Sequence, residues 1–153
     1  MDNNYYELFA HGEIGSVMEF WNNGRFFNKE KSEIHFPLLE RPIKITKLYD
    51  DACSFQSKSN ISKWDLLDLS KTCPTISVRL YFFEGPNAIH SNGIGSFGIW
   101  EARNGLILYS LESCMAFITD VNHEEFNSNI KKDPIRTLTN YIAGRTRAFE
   151  FRD

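Results

Sequence analysis

The residues whose spacing most resembles a chemical motif are Gly93-Ile94-Gly95-Ser96-Phe97-Gly98, which match G-x-G-x-x-G letter for letter. That pattern binds a dinucleotide only between a strand and a helix, so that backbone amides at the helix N-terminus face the pyrophosphate. Here Phe97 to Arg103 runs into Asn104-Gly105, a hairpin signal, and no Lys-Ser or Lys-Thr follows to make a P-loop. The motif therefore reads as a glycine-rich loop. Within the 85–98 loop, His90, Ser91 and Asn92 bring an imidazole, a hydroxyl and an amide together. They form the candidate active-site loop of a small hydrolase or transferase. Neighbours in sequence do not by themselves make a nucleophile, a base and an orienting group, which must meet in space.

Metal and redox chemistry find less support. His11, His35, His90 and His123 show neither H-x-x-x-H nor H-E-x-x-H spacing, and His123-Glu124-Glu125 lacks a second histidine. Cys53, Cys73 and Cys114 form no C-x-x-C pair. We expect reduced thiols, no metal and no cofactor. Paired carboxylates of the glycosidase kind leave no local spacing to read.

Other residues suit recognition. Trp64-Asp65-Leu66-Leu67-Asp68-Leu69 sets acidic groups beside large apolar ones, with Asp50 and Asp51 upstream. Asp50, Asp51, Trp64, Asp65 and Asp68 are the candidate partner-binding set: acidic groups steer a basic partner and an aromatic anchor is then buried. The competing reading puts Trp64 and the leucines on the inward face of a helix. Charge favours a basic protein partner over nucleic acid. Residues 1–130 hold 17 acidic and 11 basic side chains, and residues 131–153 hold 6 basic and 3 acidic, within an overall charge of −3. An acidic body is poorly made to neutralise phosphates.

The elements that must position these residues belong to one domain spanning 1–153. Its 42% apolar and 14% aromatic content supports a core without disulfides. Tyr5 to Ala10 reads as a strand. Ser16 and Glu19 have capping-box spacing ahead of a helix with Ile14, Val17, Met18 and Trp21 as its stripe, ending at Asn23-Gly24. Glu33 to Leu39 and Ile43 to Tyr49 read as strands, the first an edge strand because Pro37 lacks a donor. Such an edge is either protected or used for strand addition. Ser62 and Asp65 repeat the capping spacing before a short helix that Pro74 ends.

Thr75 to Phe83 alternates cleanly, and Phe97 to Arg103 with Leu106 to Ile118 flank Asn104-Gly105 as a hairpin. Leu106, Ile107, Leu108 and Tyr109 are apolar on both sides, as in a strand covered on both faces. A turn of helix over Glu124 to Lys131 precedes a helix capped by Asp133-Pro134, with Ile135, Leu138, Tyr141 and Ile142 inward, and Phe149 and Phe151 suit a last strand.

The expected fold is α+β, a mixed but mostly antiparallel sheet with two or three helices packed on it. Its core includes Val78, Leu80, Phe82, Ile99, Leu108, Leu111, Leu138 and Ile142. With no basic–apolar leader or membrane-length apolar run, a cytoplasmic setting and no membrane partner are expected. The favoured function is a non-enzymatic, protein-binding one: a bacterial immunity or antitoxin-type inhibitor of a basic toxin such as a nuclease.

Overall fold

Alternating apolar residues fold here into strands that share one sheet. The computed structural model describes residues 4–84, 96–114, 123–133, 136–137 and 140. Its strands are β1 (Asn4–His11), β2 (Phe27–Asn28), β3 (Glu33–Ile34), β4 (Ile43–Leu48), β5 (Ala52–Ser57), β6 (Ser77–Glu84), β7 (Ser96–Arg103) and β8 (Leu106–Cys114). They line up as β2-β3-β4-β5-β1-β6-β7-β8, and every neighbouring pair is antiparallel. The helices are α1 (Ile14–Trp21), α2 (Lys63–Ser70) and α3 (His123–Lys132). The class is α+β, with no parallel pair among the described strands.

Cross-strand register divides the sheet into two faces. One carries Tyr6, Leu8, Cys53, Phe55, Val78, Leu80 and Trp100, and packs with Phe20 of α1 and Leu66 and Leu69 of α2 in a single core. The other carries Glu7, Phe9, Arg79, Tyr81, Ile99 and Glu101. Its central members are buried too, so β6 is covered on both sides. That explains why its sequence is so apolar.

Local chemistry explains each turn. Asn104 and Gly105 have φ of 47° and 79°, the left-handed pair that a type I′ turn demands. Ser62 opens α2 with a complete capping box. Its hydroxyl accepts from the Asp65 amide at 3.3 Å, while the Asp65 carboxylate accepts from the Ser62 amide at 2.8 Å and hydroxyl at 2.9 Å. Asp133 accepts from the Arg136 amide at 3.3 Å, the bond expected of an N-cap. Ile135, Leu138, Tyr141, Ile142, Phe149 and Phe151 lie outside the described residues.

Several expectations are corrected. Helix α1 begins at Ile14, capped by Glu13 without a side-chain bond, so Ser16 is no cap. Phe20 is its buried residue, and Val17 and Trp21 of the expected stripe pack partly buried against the core, whereas Ile14 and Met18 are 80% and 59% exposed. The 33–39 segment is a strand only at Glu33–Ile34, and β3 lies inside the sheet between β2 and β4. Around Pro37 the chain turns instead, with the Leu39 amide bonding the Phe36 carbonyl at 3.0 Å.

Leu106 to Leu108 are not doubly covered. The register between β7 and β8 shifts after Glu101, which faces Tyr109, while Ala102 faces Ile107. Leu108 is thus the extra residue of a β-bulge, which breaks the alternation and leaves the apolar run at a sheet edge. Of the expected core, Val78, Leu80, Phe82 and Ile99 are buried, Leu111 is half-buried and Leu108 is exposed.

Candidate functional site

The five residues proposed for partner binding do not form one surface. Asp50 and Asp51 are exposed in the tight turn between β4 and β5, where the Asp51 carbonyl accepts from the Ala10 amide at 2.8 Å. This turn adjoins the His11 end of β1. Helix α2 starts at the other end, where Ile61 donates its amide to the Tyr6 hydroxyl at 3.1 Å, and it lies over β6 to β8. Trp64 therefore stands at the opposite end of the strands from the acidic turn. It is 70% exposed, so the inward-face reading does not hold for it.

Asp65 is buried, because the capping box turns its carboxylate back onto Ser62. It presents no charge to a partner. Asp68 is half-buried, 3.9 Å from the Lys71 ammonium one turn on. His90, Ser91 and Asn92 lie outside the described residues. Gly98, the last glycine of the G-x-G-x-x-G run, sits within β7 opposite Glu112, and no helix opens there.

Three features emerge that sequence reading missed. The first is the edge made by β8, which pairs only with β7 among the described residues. Leu106, Ile107 and Leu108 are 67%, 36% and 39% exposed. Beyond the bulge, Tyr109 to Cys114 keep regular register with β7. Glu112 on this strand accepts from the Trp100 indole at 2.7 Å and meets the Lys63 ammonium at 3.0 Å, tying α2 to the edge.

The second is a polar cluster on the face opposite α1 and α2. Arg79 and Glu101 are cross-strand partners and almost wholly buried; the Arg79 Nη2 donates to Glu101 Oε1 at 2.6 Å and its Nη1 to the Tyr81 hydroxyl at 3.3 Å. Glu101 Oε2 is buried and accepts no hydrogen bond. Beside them the Glu7 carboxylate accepts from Ser54 at 3.3 Å, and burial raises its pKa above the ordinary glutamate range. Burial likewise raises the Tyr81 phenol. On the other face it pushes the Cys53 thiol up to about 12, so Cys53 is no nucleophile.

The third is a pair of concavities. A pocket of about 440 Å³ gathers His11, Glu13, Ser16, Thr75, Ser77 and Arg103. Register brings His11 directly opposite Ser77, and Arg103 donates to the Thr75 carbonyl at 3.3 Å. These partners come from β1, β6 and β7, so no local spacing announces them. Its lining combines hydroxyls, an imidazole, the Arg103 guanidinium and the Glu13 carboxylate. The second concavity, of about 380 Å³, opens between Trp21, Phe27, Ile45 and Leu48 at the far edge of the sheet.

Among the described residues, no three His, Cys, Asp or Glu side chains gather as metal ligands. None of their helices is long and apolar enough to cross a membrane. No protein-family model, no curated protein and no solved structure matches the chain.

Proposed function

We propose that this chain is a non-catalytic protein-binding domain that takes up an extended segment of its partner along β8. The observation that carries this reading is the edge itself: a nine-residue strand whose first three residues are large, apolar and exposed. Strand addition draws affinity from main-chain hydrogen bonds and specificity from side-chain anchors. Leu106 to Leu108 supply the anchors, and the main-chain bonds come from the strand that they open. A bulge often guards an edge against pairing, but this one lies at the hairpin end, before the stretch in regular register with β7.

The partner is basic, in keeping with the 17 acidic and 11 basic side chains of residues 1–130. A protein of the immunity or antitoxin kind, covering the cationic surface of a nuclease toxin, fits this combination of an acidic body and an apolar anchor. Asp50 and Asp51 act in steering, at a distance from the anchor.

The test is capture of the partner from the native host by the wild-type chain and by Leu106→Lys/Leu108→Lys. Both side chains are exposed, so the variant should keep the wild-type unfolding midpoint, while losing two anchors worth about 2 kcal/mol or more together, roughly thirtyfold in Kd. Equal capture by both forms removes β8 from the account. A partner with no basic surface removes the inhibitor reading and leaves the edge.

A further inference from the structure

At the edge of the sheet opposite β8, the chain builds a small-molecule site. Helix α1 ends at Trp21, and the Asn23 carbonyl accepts from the amides of Phe26 and Phe27 at 3.2 Å and 3.0 Å. This turn swings Phe27 edge-on against Trp21, with ring centroids 5.2 Å apart. The hairpin from β2 to β3 closes with the Lys31 amide on the Asn28 side chain and the Ser32 amide on the Lys29 carbonyl. Ser32, at φ 51°, redirects the chain into β3. The last tie from this hairpin to β4 is the Ile45 amide on the Ser32 carbonyl, at 2.8 Å. Beyond Ile45, β4 runs on to Leu48 past the hairpin's end, and a cleft opens between them.

Its volume, about 380 Å³, falls in the range of sites that enclose small ligands. Trp21, Phe27 and Ile45 give it an apolar interior, extended outward by Leu48 at 64% exposure. Lys29, Lys47 and Glu33 are its charged residues, two cations against one anion in a chain of net charge −3. Trp21 lines the cleft, and its indole N–H is buried without a hydrogen-bond partner.

We infer that this cleft binds a small amphiphilic carboxylate, its apolar body against Trp21, Phe27 and Ile45 and its carboxylate toward Lys29 and Lys47. The two cations set the sign of the polar end, and the ring pair with Ile45 sets the apolar end. This site is independent of β8, which is separated from β4 by β5, β1, β6 and β7.

The experiment titrates the full chain with octanoate and, separately, with 1-octanol, following the three tryptophan indole N–H resonances by NMR after through-bond assignment. Octanoate should shift the Trp21 resonance saturably and leave those of Trp64 and Trp100 in place. Octanol should bind roughly tenfold more weakly, since it lacks the charge that two lysines attract. In Lys29→Glu/Lys47→Glu, whose substitutions are at exposed positions, octanoate should weaken at least about tenfold while octanol is unchanged. A stationary Trp21 resonance, equal affinity for acid and alcohol, or undiminished octanoate binding in the double variant would each overturn the assignment. Loss of partner capture in the β8 variant bears on neither outcome.

Discussion

Replacing Arg79 by methionine isolates the cost of burying charge in this fold. Arg79 is 1% exposed and Glu101 0%, so neither has bulk water to fall back on. The guanidinium makes two bonds to Glu101 Oε1, from Nε at 3.1 Å and Nη2 at 2.6 Å, and a third to Tyr81. Methionine keeps most of the volume but leaves the Glu101 carboxylate alone between β6 and β7, with Oε2 already lacking a partner. Breaking a buried pair this way costs about 3–5 kcal/mol, a large share of the roughly 5–15 kcal/mol that holds a domain folded. For a chain of this length each kcal/mol lowers Tm by about 2–4 °C, so Arg79→Met should fall by roughly 6–20 °C. Arg79→Met/Glu101→Leu should recover most of the loss, because a well-packed apolar pair replaces a buried ion pair at little cost. Urea unfolding, read at constant m, measures these two variants and Glu101→Leu alone against wild type. A single-variant loss under about 1 kcal/mol, or a double variant as unstable as the two singles combined, would refute the view that Glu101 depends on Arg79.

Two further predictions follow from packing and from ionisation. Gly98→Ala should destabilise by about 1–3 kcal/mol or more and lower the hydrogen-exchange protection of β8, because a Cβ there meets the Leu111 carbonyl oxygen and comes 2.7 Å from the Phe82 ring; unchanged protection would contradict it. Glu7 has a pKa raised first by burial and then by Asp133, with Ser54, Lys47 and Arg136 opposing, so the folded state holds its proton more tightly than the unfolded chain. Stability contributed by protonated Glu7 is therefore present below the ordinary value of 4.5 and is lost as pH rises through the raised one. Glu7→Gln should accordingly be more stable than wild type at pH 7 and gain nothing at pH 4; a gain that is the same at both, in urea midpoints, would be the wrong result.

What the sequence disclosed was local. The Asn104-Gly105 turn and the Ser62–Asp65 capping box each need only a few adjacent residues, and both form as read. Strand β6 announces itself by period. The misreadings arise where a local pattern competes with a distant contact. Ser16 and Glu19 have the right spacing for a box, yet α1 begins earlier and packs Phe20 into the core, leaving Ile14 and Met18 outside. The Leu106–Leu108 run mimics a doubly covered strand because one bulge residue breaks the alternation. Asp65 was read both as a cap and as a partner contact, and the cap takes it: the bonds that hold Ser62 bury the carboxylate. The opposition of His11 and Ser77 and the cleft at Trp21 depend on register and loop closure between separated segments, for which no spacing rule exists.

The distribution of apolar side chains itself argues for binding. This chain places an arginine and a glutamate in its interior, where an apolar pair would serve stability as well, and leaves Trp64, Leu106, Leu108, Leu48 and Ile14 in water. Neither choice serves the fold, since polar residues at those exposed sites would cost it little. Departures from internal consistency concentrate where a protein is shaped for something besides folding. An isolated exposed leucine needs no such account. Three large apolar residues exposed in succession at the start of one strand do, because such a run invites unwanted association unless a partner covers it. The hazard and the proposed function are then the same surface, and a partner that covers β8 in the cell removes the first by performing the second.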